Sequence, residues 1–198
     1  MNAPYGKTIR CECGRIHEIE PREVYAGDAA AERAAQWAMW TADGERAALV
    51  ADARTYEAAG RAVARALRKA AFAVDKIILD DSGPARSPVC DEAAHEAVLE
   101  RLGRGADVVL AVGSGVVSDV GKWAAFERGL PLITVATAAS MNGYTSANVA
   151  PTIGGLKSLV RARPPRAVLA DPQVVRDAPY ELTAAGLGEV EIHLHHSD

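Results

Sequence analysis

The stretch ADVVLAVGSGVVSDVGKW, residues 106–123, decides the fold. Its first eight residues are near-continuously apolar, as a strand covered on both faces must be. Gly113, Ser114 and Gly115 then turn the chain, and the following residues carry a helix that closes at Gly129. The same unit repeats on the N-terminal side. RAALVAD (46–52) is a short apolar strand, and Thr55 is placed to cap the helix YEAAGRAVARALRKAA (56–71). Tyr56, Ala59, Val63, Leu67 and Ala70 form a single stripe on that helix. VDKIILDD (74–81) is the next strand, and DEAAHEAVLERLGRG (91–105) is a helix with Val98, Leu99 and Leu102 before a glycine stop. On the C-terminal side, LPLITVAT (130–137) is another strand. Strands alternating with helices imply right-handed crossovers and a parallel sheet. The expected fold is therefore α/β, Rossmann-like and doubly wound, with a mostly parallel sheet. Ligands of such sheets sit beyond the carboxyl ends of the strands, which directs attention to Asp52, Asp80, Gly113 and Thr137 onward.

The flanks are less regular. KTIRC, RIHEI and EVYAG, broken by Gly14 and Pro21, predict a hairpin followed by a loop over residues 7–25. The alanine-rich residues 29–40 predict a helix with Trp37 and Trp40 turned into the core. After Thr137, small and turn-forming residues predict loops and a hairpin leading to the strand RAVLAD (166–171), and APYELTAAGLG (178–188) begins a further helix. With 198 residues, 49% hydrophobic and 24% charged, the chain suits one or at most two domains. A net charge of -4 with interspersed signs argues against nucleic acid and against an anionic membrane surface. There is no apolar run of the roughly 20 residues a membrane span needs, and no basic-then-apolar leader, so a cytoplasmic protein is expected. Three cysteines are too few for a disulfide framework. Cys11, Cys13 and His17 in CECGRIH could supply three of zinc's four ligands, or could be incidental to a β-turn at Gly14.

Two common phosphate motifs do not fit the glycine turn. As a P-loop it has five residues rather than four between Gly115 and Gly121, and Trp123 stands where a Ser or Thr would hold magnesium. As GxGxxG it fails at Ser118, and it follows a later strand than that fingerprint does. The residues alone leave two readings: a tight turn, or a phosphate cradle made by backbone N–H groups at a helix N-terminus.

Three ordered segments add a resemblance. VGSGVVSDVGKWAAF, then LPLITVATAASMNGYTS, then RAVLADPQVV and APYELTAAGLGE, together resemble the family of iron-containing alcohol dehydrogenases, glycerol dehydrogenases and dehydroquinate synthases. The glycerol-1-phosphate dehydrogenase branch is the nearest in pattern, and the likeness runs from about residue 5 to residue 190. The resemblance implies an N-terminal nucleotide domain (residues 1–178) and the start of a helical domain (179–198), with substrate and a divalent metal, zinc or iron, in the cleft between. It implies that Gly113, Ser114 and Gly115 cradle the pyrophosphate of NAD or NADP, and that Asp119 and Lys122 face the nicotinamide end. Thr137, Ser140 and Ser146 match hydroxyl positions lining the cofactor. Asp52 matches a position that accepts from the adenosine ribose and repels a 2′-phosphate, which favours NAD. Asn142 and Lys122 are the candidate catalytic residues. The implied activity exchanges hydride between NAD(P)H and dihydroxyacetone phosphate, giving glycerol 1-phosphate.

The pattern is broken at two positions. The aspartate of the family's GxGD motif, a metal ligand, is Glu189 here, and its extra methylene displaces the carboxylate. Asn142 stands in SMNGYTS where the family has an aspartate, and an amide cannot act as a base. The two downstream histidines that complete the family's metal site have no counterpart, although His193, His195 and His196 crowd the end of the sequence. These departures imply a nucleotide site better preserved than the catalysis, in a chain shortened relative to the family. Two other readings stand beside it: a dehydroquinate synthase-like enzyme, and a non-catalytic module pairing with itself or with a helical subunit. Lys157 could meet a substrate phosphate or simply be solvated.

Overall fold

The structure, a computed structural model, describes residues 5–83, 87–103 and 105–195, with the backbone alone for 192–195. The chain opens with a hairpin of β1 (Thr8–Arg10) and β2 (Ile16–Glu18), followed by β3 (Glu23–Ala26) and α1 (Ala30–Thr41). β4 (Arg46–Asp52) runs into α2 (Ala53–Thr55), a π-helical turn (Tyr56–Gly60) and α3 (Arg61–Lys69). β5 (Ala73–Leu79), α4 (Glu92–Leu102), β6 (Val108–Gly113), α5 (Gly115–Glu127) and β7 (Leu132–Ala136) continue the alternation. Four two-residue strands form two small hairpin-like pairs: β8 (Asn148–Val149) with β11 (Val160–Arg161), and β9 (Thr152–Ile153) with β10 (Leu156–Lys157). β12 (Ala167–Ala170), α6 (Pro172–Arg176) and α7 (Tyr180–His195) follow.

Six strands form one sheet in the order β3-β12-β7-β6-β4-β5, with every neighbouring pair parallel. The alternation of each strand sends its side chains to two separate cores. Leu49, Leu110, Val112 and Ile133 pack with Ala34, Ala38, Val63 and Leu67 on the face carrying α1 and α3. Ala48, Val50, Val109 and Ala111 pack with Val98, Leu102, Val117 and Val120 on the face carrying α4 and α5. At about 1.5–3 kcal/mol for each large side chain fully buried, these two layers hold the sheet together. From β4 the chain moves outward to β5, then returns past β4 to β6 and on to β7. The helices after β4 and β6 therefore leave on opposite faces, and a crevice opens between the two strand ends.

Three expectations need correction. Thr55 makes no capping bond to the helix after it; the cap is Asp52, whose carboxylate accepts the Thr55 N–H. The hairpin forms, but Glu23–Ala26 is not part of a loop; it is the sheet's edge strand, in register with β12. Its partner lies far along the chain, where local pattern gives no signal. Trp40 is not in the core but 58% exposed. Ala30, Ala34, Ala35 and Ala38 make the face of α1 that meets the sheet, and small residues let the helix sit close. The tryptophans fall on its flank. Trp37 is half-buried and donates its indole N–H to Glu23 Oε2 at 2.6 Å, and Trp40 rests edge-on against it.

Candidate functional site

The crevice encloses about 610 Å³ and is walled by Asp52, Arg54 and Thr55 on one side and by Ser114, Val117 and Thr137 on the other. Gln173 and Val174 of α6 and Leu182 of α7 close its far end. Asp52 is the last residue of β4 and is buried, but its carboxylate is not adrift. Oδ1 accepts from the N–H groups of Arg54 (2.8 Å) and Thr55 (2.9 Å), while Thr55 Oγ1 accepts from the Asp52 N–H at 3.1 Å. This reciprocal cap fixes the carboxylate's position without using up its second oxygen. The Arg54 guanidinium grips Asp81 through two bonds of 2.8 and 3.1 Å, and its Nε lies 3.7 Å from Asp52.

The opposite wall is made by backbone. A Cβ on Gly113 would lie 2.5 Å from Val117 Cβ, so only glycine lets α5 start so close to the strand end. Ser114 is the N-cap of α5, yet its hydroxyl makes no capping bond, and the first helical bond runs from Ser118 N–H to the Ser114 carbonyl. The N–H groups of the first turn, with the positive end of the helix dipole, are thus left for a ligand. Thr137 N–H donates to the Gly113 carbonyl at 3.2 Å and brings the end of β7 beside the turn.

A second group of residues lies under and around the loop between β7 and β8. Lys122 is buried on α5 and donates from Nζ to the Gly143 carbonyl at 2.8 Å and the Asn148 carbonyl at 3.5 Å, with Asp119 Oδ1 3.8 Å away. Burial lowers the Lys122 pKa and Asp119 opposes the shift. Burial raises that of Asp119, opposed chiefly by Lys122. Asp119 Oδ2 also accepts from the Ala150 N–H at 3.2 Å. Tyr144 donates its hydroxyl to the Ala138 carbonyl at 2.7 Å, and burial pushes the phenol up to about 12. Ser140 lies against that phenol, and Ser146 Oγ accepts from the Asn148 N–H at 3.0 Å.

α7 docks on this loop at one close approach. A methyl on Gly186 would run into the Ala139 carbonyl oxygen, so the helix can approach only with glycine there. One turn on, Glu189 Oε2 accepts the Asn142 N–H at 2.8 Å. The two positions at which the sequence departs from the pattern it resembles, Asn142 and Glu189, are therefore in direct contact.

Of the residues singled out in the sequence, Asp52, Ser114 and Thr137 line the crevice, and Gly113 and Gly115 shape its turn. Asp119, Lys122, Ser140, Asn142, Ser146 and Glu189 make up the neighbouring loop group, and Asp80 is not part of the crevice wall. Lys157 donates to the Ala150 carbonyl at 3.1 Å. Arg54, Gln173, Val174 and Leu182 were not singled out. The DART sequence at 52–55 carries a capping signal that points to Arg54, and Asp171-Pro172 marks the start of α6, but nothing local places α6 at the crevice.

The turn fits a dinucleotide: a glycine-bounded, uncapped helix start faces a cavity with a fixed carboxylate across it. The loop group brings no three potential metal ligands together among the described residues. Among the described residues, the only cluster of three potential ligands is Cys11, Cys13 and His17 in the first hairpin. Glu189 brings one carboxylate, already engaged by a backbone N–H. The side chains of His193 and His195, and all of His196, lie outside the described residues. No described helix is long and apolar enough to cross a membrane.

Residues 26–179 match the family model for iron-containing alcohol dehydrogenase. Glycerol-1-phosphate dehydrogenase [NAD(P)+] of Bacillus velezensis is 37% identical over 142 residues, covering 72% of this chain and 36% of that protein. Its namesake from Bacillus licheniformis is 32% identical over 181 residues, covering 91% of this chain and 45% of that protein. The chain thus spans less than half the length of these relatives. Among solved structures, NADH-dependent butanol dehydrogenase A of Thermotoga maritima superimposes with a TM-score of 0.75 at 17% identity, covering 91% of this chain and 50% of that one, which is a likeness of fold.

Proposed function

This chain belongs to the iron-containing alcohol dehydrogenase family, and from that premise we propose that it is the nucleotide-binding part of an NAD(P)-dependent oxidoreductase acting on a polyol phosphate of the glycerol 1-phosphate type. The observation that carries the reading is the crevice at the β4–β6 switch point, with an uncapped helix start on one wall and the held carboxylate of Asp52 on the other. The pyrophosphate lies against Gly113, Ser114 and Gly115, where backbone N–H groups and the dipole of α5 meet its charge. Asp52, whose Oδ2 takes no part in the helix cap, is the residue that would accept from the adenosine ribose. Bound cofactor supplies a nicotinamide that exchanges hydride with a carbinol carbon.

The same wall supports a cofactor preference. A 2′-phosphate would be set against the Asp52 carboxylate, and the nearest guanidinium, Arg54, is already committed to Asp81. NAD is therefore preferred to NADP. The polyol phosphate rests on the relatives' names, and on the loop group lying beside the turn. Asn142 can donate or accept a hydrogen bond to a substrate hydroxyl but cannot take its proton. Around Asn142 and Glu189 the described residues bring no three potential ligands together. Nucleotide binding is accordingly placed ahead of turnover.

Calorimetric titration tests this. NAD and NADH bind the chain at one site, NADP binds more weakly, and Asp52→Asn, which keeps the helix cap, narrows the difference. No binding of either nicotinamide dinucleotide at millimolar concentration overturns the reading. Turnover of glycerol 1-phosphate by the isolated chain with added zinc overturns the ordering of binding over catalysis.

A second reading has its own observation. Tyr180, Leu187 and Val190 of α7 are 77%, 65% and 51% exposed and share one helix face. Large apolar groups left on one face mark a surface for a partner, either a second copy or a helical subunit. Sedimentation of the wild type and Leu187→Glu distinguishes it: association that the substitution leaves unchanged removes this reading.

A further inference from the structure

The first hairpin takes no part in the crevice, and it precedes the segment matched by the family model. It pairs Thr8 with Glu18, Ile9 with His17 and Arg10 with Ile16, and every residue of its two strands is exposed. Ile9 and Ile16 are 44% and 64% exposed, so no apolar cluster holds the strands together. A two-stranded hairpin of this size is marginal in water unless something else ties it.

The turn between the strands has the form of a ligand claw. Gly14 takes φ +79°, and its N–H donates to the Cys11 carbonyl at 3.0 Å, while the Cys11 N–H donates to the Arg15 carbonyl at 2.9 Å. This folds Cys13 back over Cys11, whose Sγ accepts the Cys13 N–H at 3.5 Å. Strand pairing then brings His17 alongside, with Nε2 3.3 Å from Cys13 Sγ. All three potential ligand atoms lie within 4.8 Å of one another. Zinc–sulfur bonds of about 2.3 Å and zinc–nitrogen bonds of about 2.0–2.1 Å put tetrahedral ligands roughly 3.5–3.8 Å apart. The three atoms need to move by about an ångström at most to reach that spacing.

We propose that Cys11, Cys13 and His17 hold one Zn²⁺ that ties the β1–β2 hairpin, with water in the fourth position. Two thiolates and an imidazole are the donor set zinc prefers over hard cations. The site is distinct from the metal expected of the family near Glu189, and it stands whether or not the nucleotide reading does. Its role is structural: the ion replaces the missing apolar core of the hairpin.

The test is a zinc titration of the full chain against a chromophoric chelator, in the presence of a phosphine reductant. One equivalent of tight zinc is expected, and cobalt in its place shows a thiolate charge-transfer band. Cys13→Ser and His17→Gln weaken that equivalent by about a hundredfold or more, since even outer-shell changes cost about 10–100-fold. Glu189→Gln leaves it unchanged. Because both cysteines are exposed, the substitutions do not touch the core, and circular dichroism confirms the fold. Zinc also slows amide exchange at Cys11 and Ile19 in the wild type but not in the variants. Absence of a tight equivalent, a cobalt complex without the thiolate band, or zinc affinity unaltered in Cys11→Ser and Cys13→Ser overturns the proposal.

Discussion

The turn after β6 and the loop after β7 lie side by side, yet they are held by different means. The turn is fixed by backbone: strand register, the missing side chain at Gly113, and a helix start without a cap. The loop is fixed by side chains: from elsewhere, the Lys122 ammonium on two carbonyls and the Glu189 carboxylate on the Asn142 N–H, and from within it the Tyr144 hydroxyl on the Ala138 carbonyl. A backbone cradle tolerates drift in its side chains, whereas a site defined by side chains changes character with one atom. The difference is what would let the proposed nucleotide cradle persist beside two altered chemical positions.

The largest break in this comparison comes at Lys122. Lys122→Met leaves the Gly143 carbonyl without its donor and Asp119 without its neighbouring cation, at a cost of about 3 kcal/mol. At about 2–4 °C per kcal/mol for a chain of this size, Tm falls by about 6–12 °C. An unchanged melting curve means that the loop is not held by the ammonium. Next is Ser114→Asp, which separates folding from binding at the turn. The new carboxylate caps α5, so Tm holds or rises, but it meets the pyrophosphate with like charge and weakens NAD by about tenfold, or 1.4 kcal/mol. If titration shows NAD affinity unchanged, the pyrophosphate lies elsewhere.

Glu189→Ala tests whether the two regions are independent. Losing the acceptor for the Asn142 N–H costs about 1 kcal/mol in denaturant unfolding, while NAD affinity stays within about twofold. A larger loss of affinity would couple the loop to the cradle. The smallest effect is on pH dependence. Buried His95 stacks on Trp123 of α5 with ring centroids 3.7 Å apart, and its Nε2 lies 3.2 Å from Glu127. Burial lowers its pKa, with Glu127 and Glu96 opposing. The unfolded chain therefore takes up a proton here at higher pH than the folded one, and stability declines as pH falls below the ordinary imidazole range. His95→Phe flattens that part of a Tm-against-pH profile.

Much of the fold was legible because strands buried on both faces and one-sided helices leave separate periodic signatures. β4, β6, β7 and the helices between them follow from those signatures, as does the glycine turn at the end of β6. Trp40 was misread because size alone does not indicate the buried face; the alanines of α1 do. Asp52 could be placed at a strand end, but not as both helix cap and crevice wall. Asn142 and Glu189 could each be marked as departures from a pattern, but not as partners.

The sequence by itself determined the parallel α/β architecture, the switch-point crevice and the helix start that faces it, because each depends on burial and turn chemistry repeated over short distances. Only the tertiary structure decided which distant segments meet there. It set β3 against β12, brought α6 to the crevice, put Lys122 beneath the loop and Glu189 on Asn142, and drew Cys11, Cys13 and His17 together. Periodicity records which face of an element is buried, whereas contacts between side chains depend on the path of the chain between them, down to a fraction of an ångström.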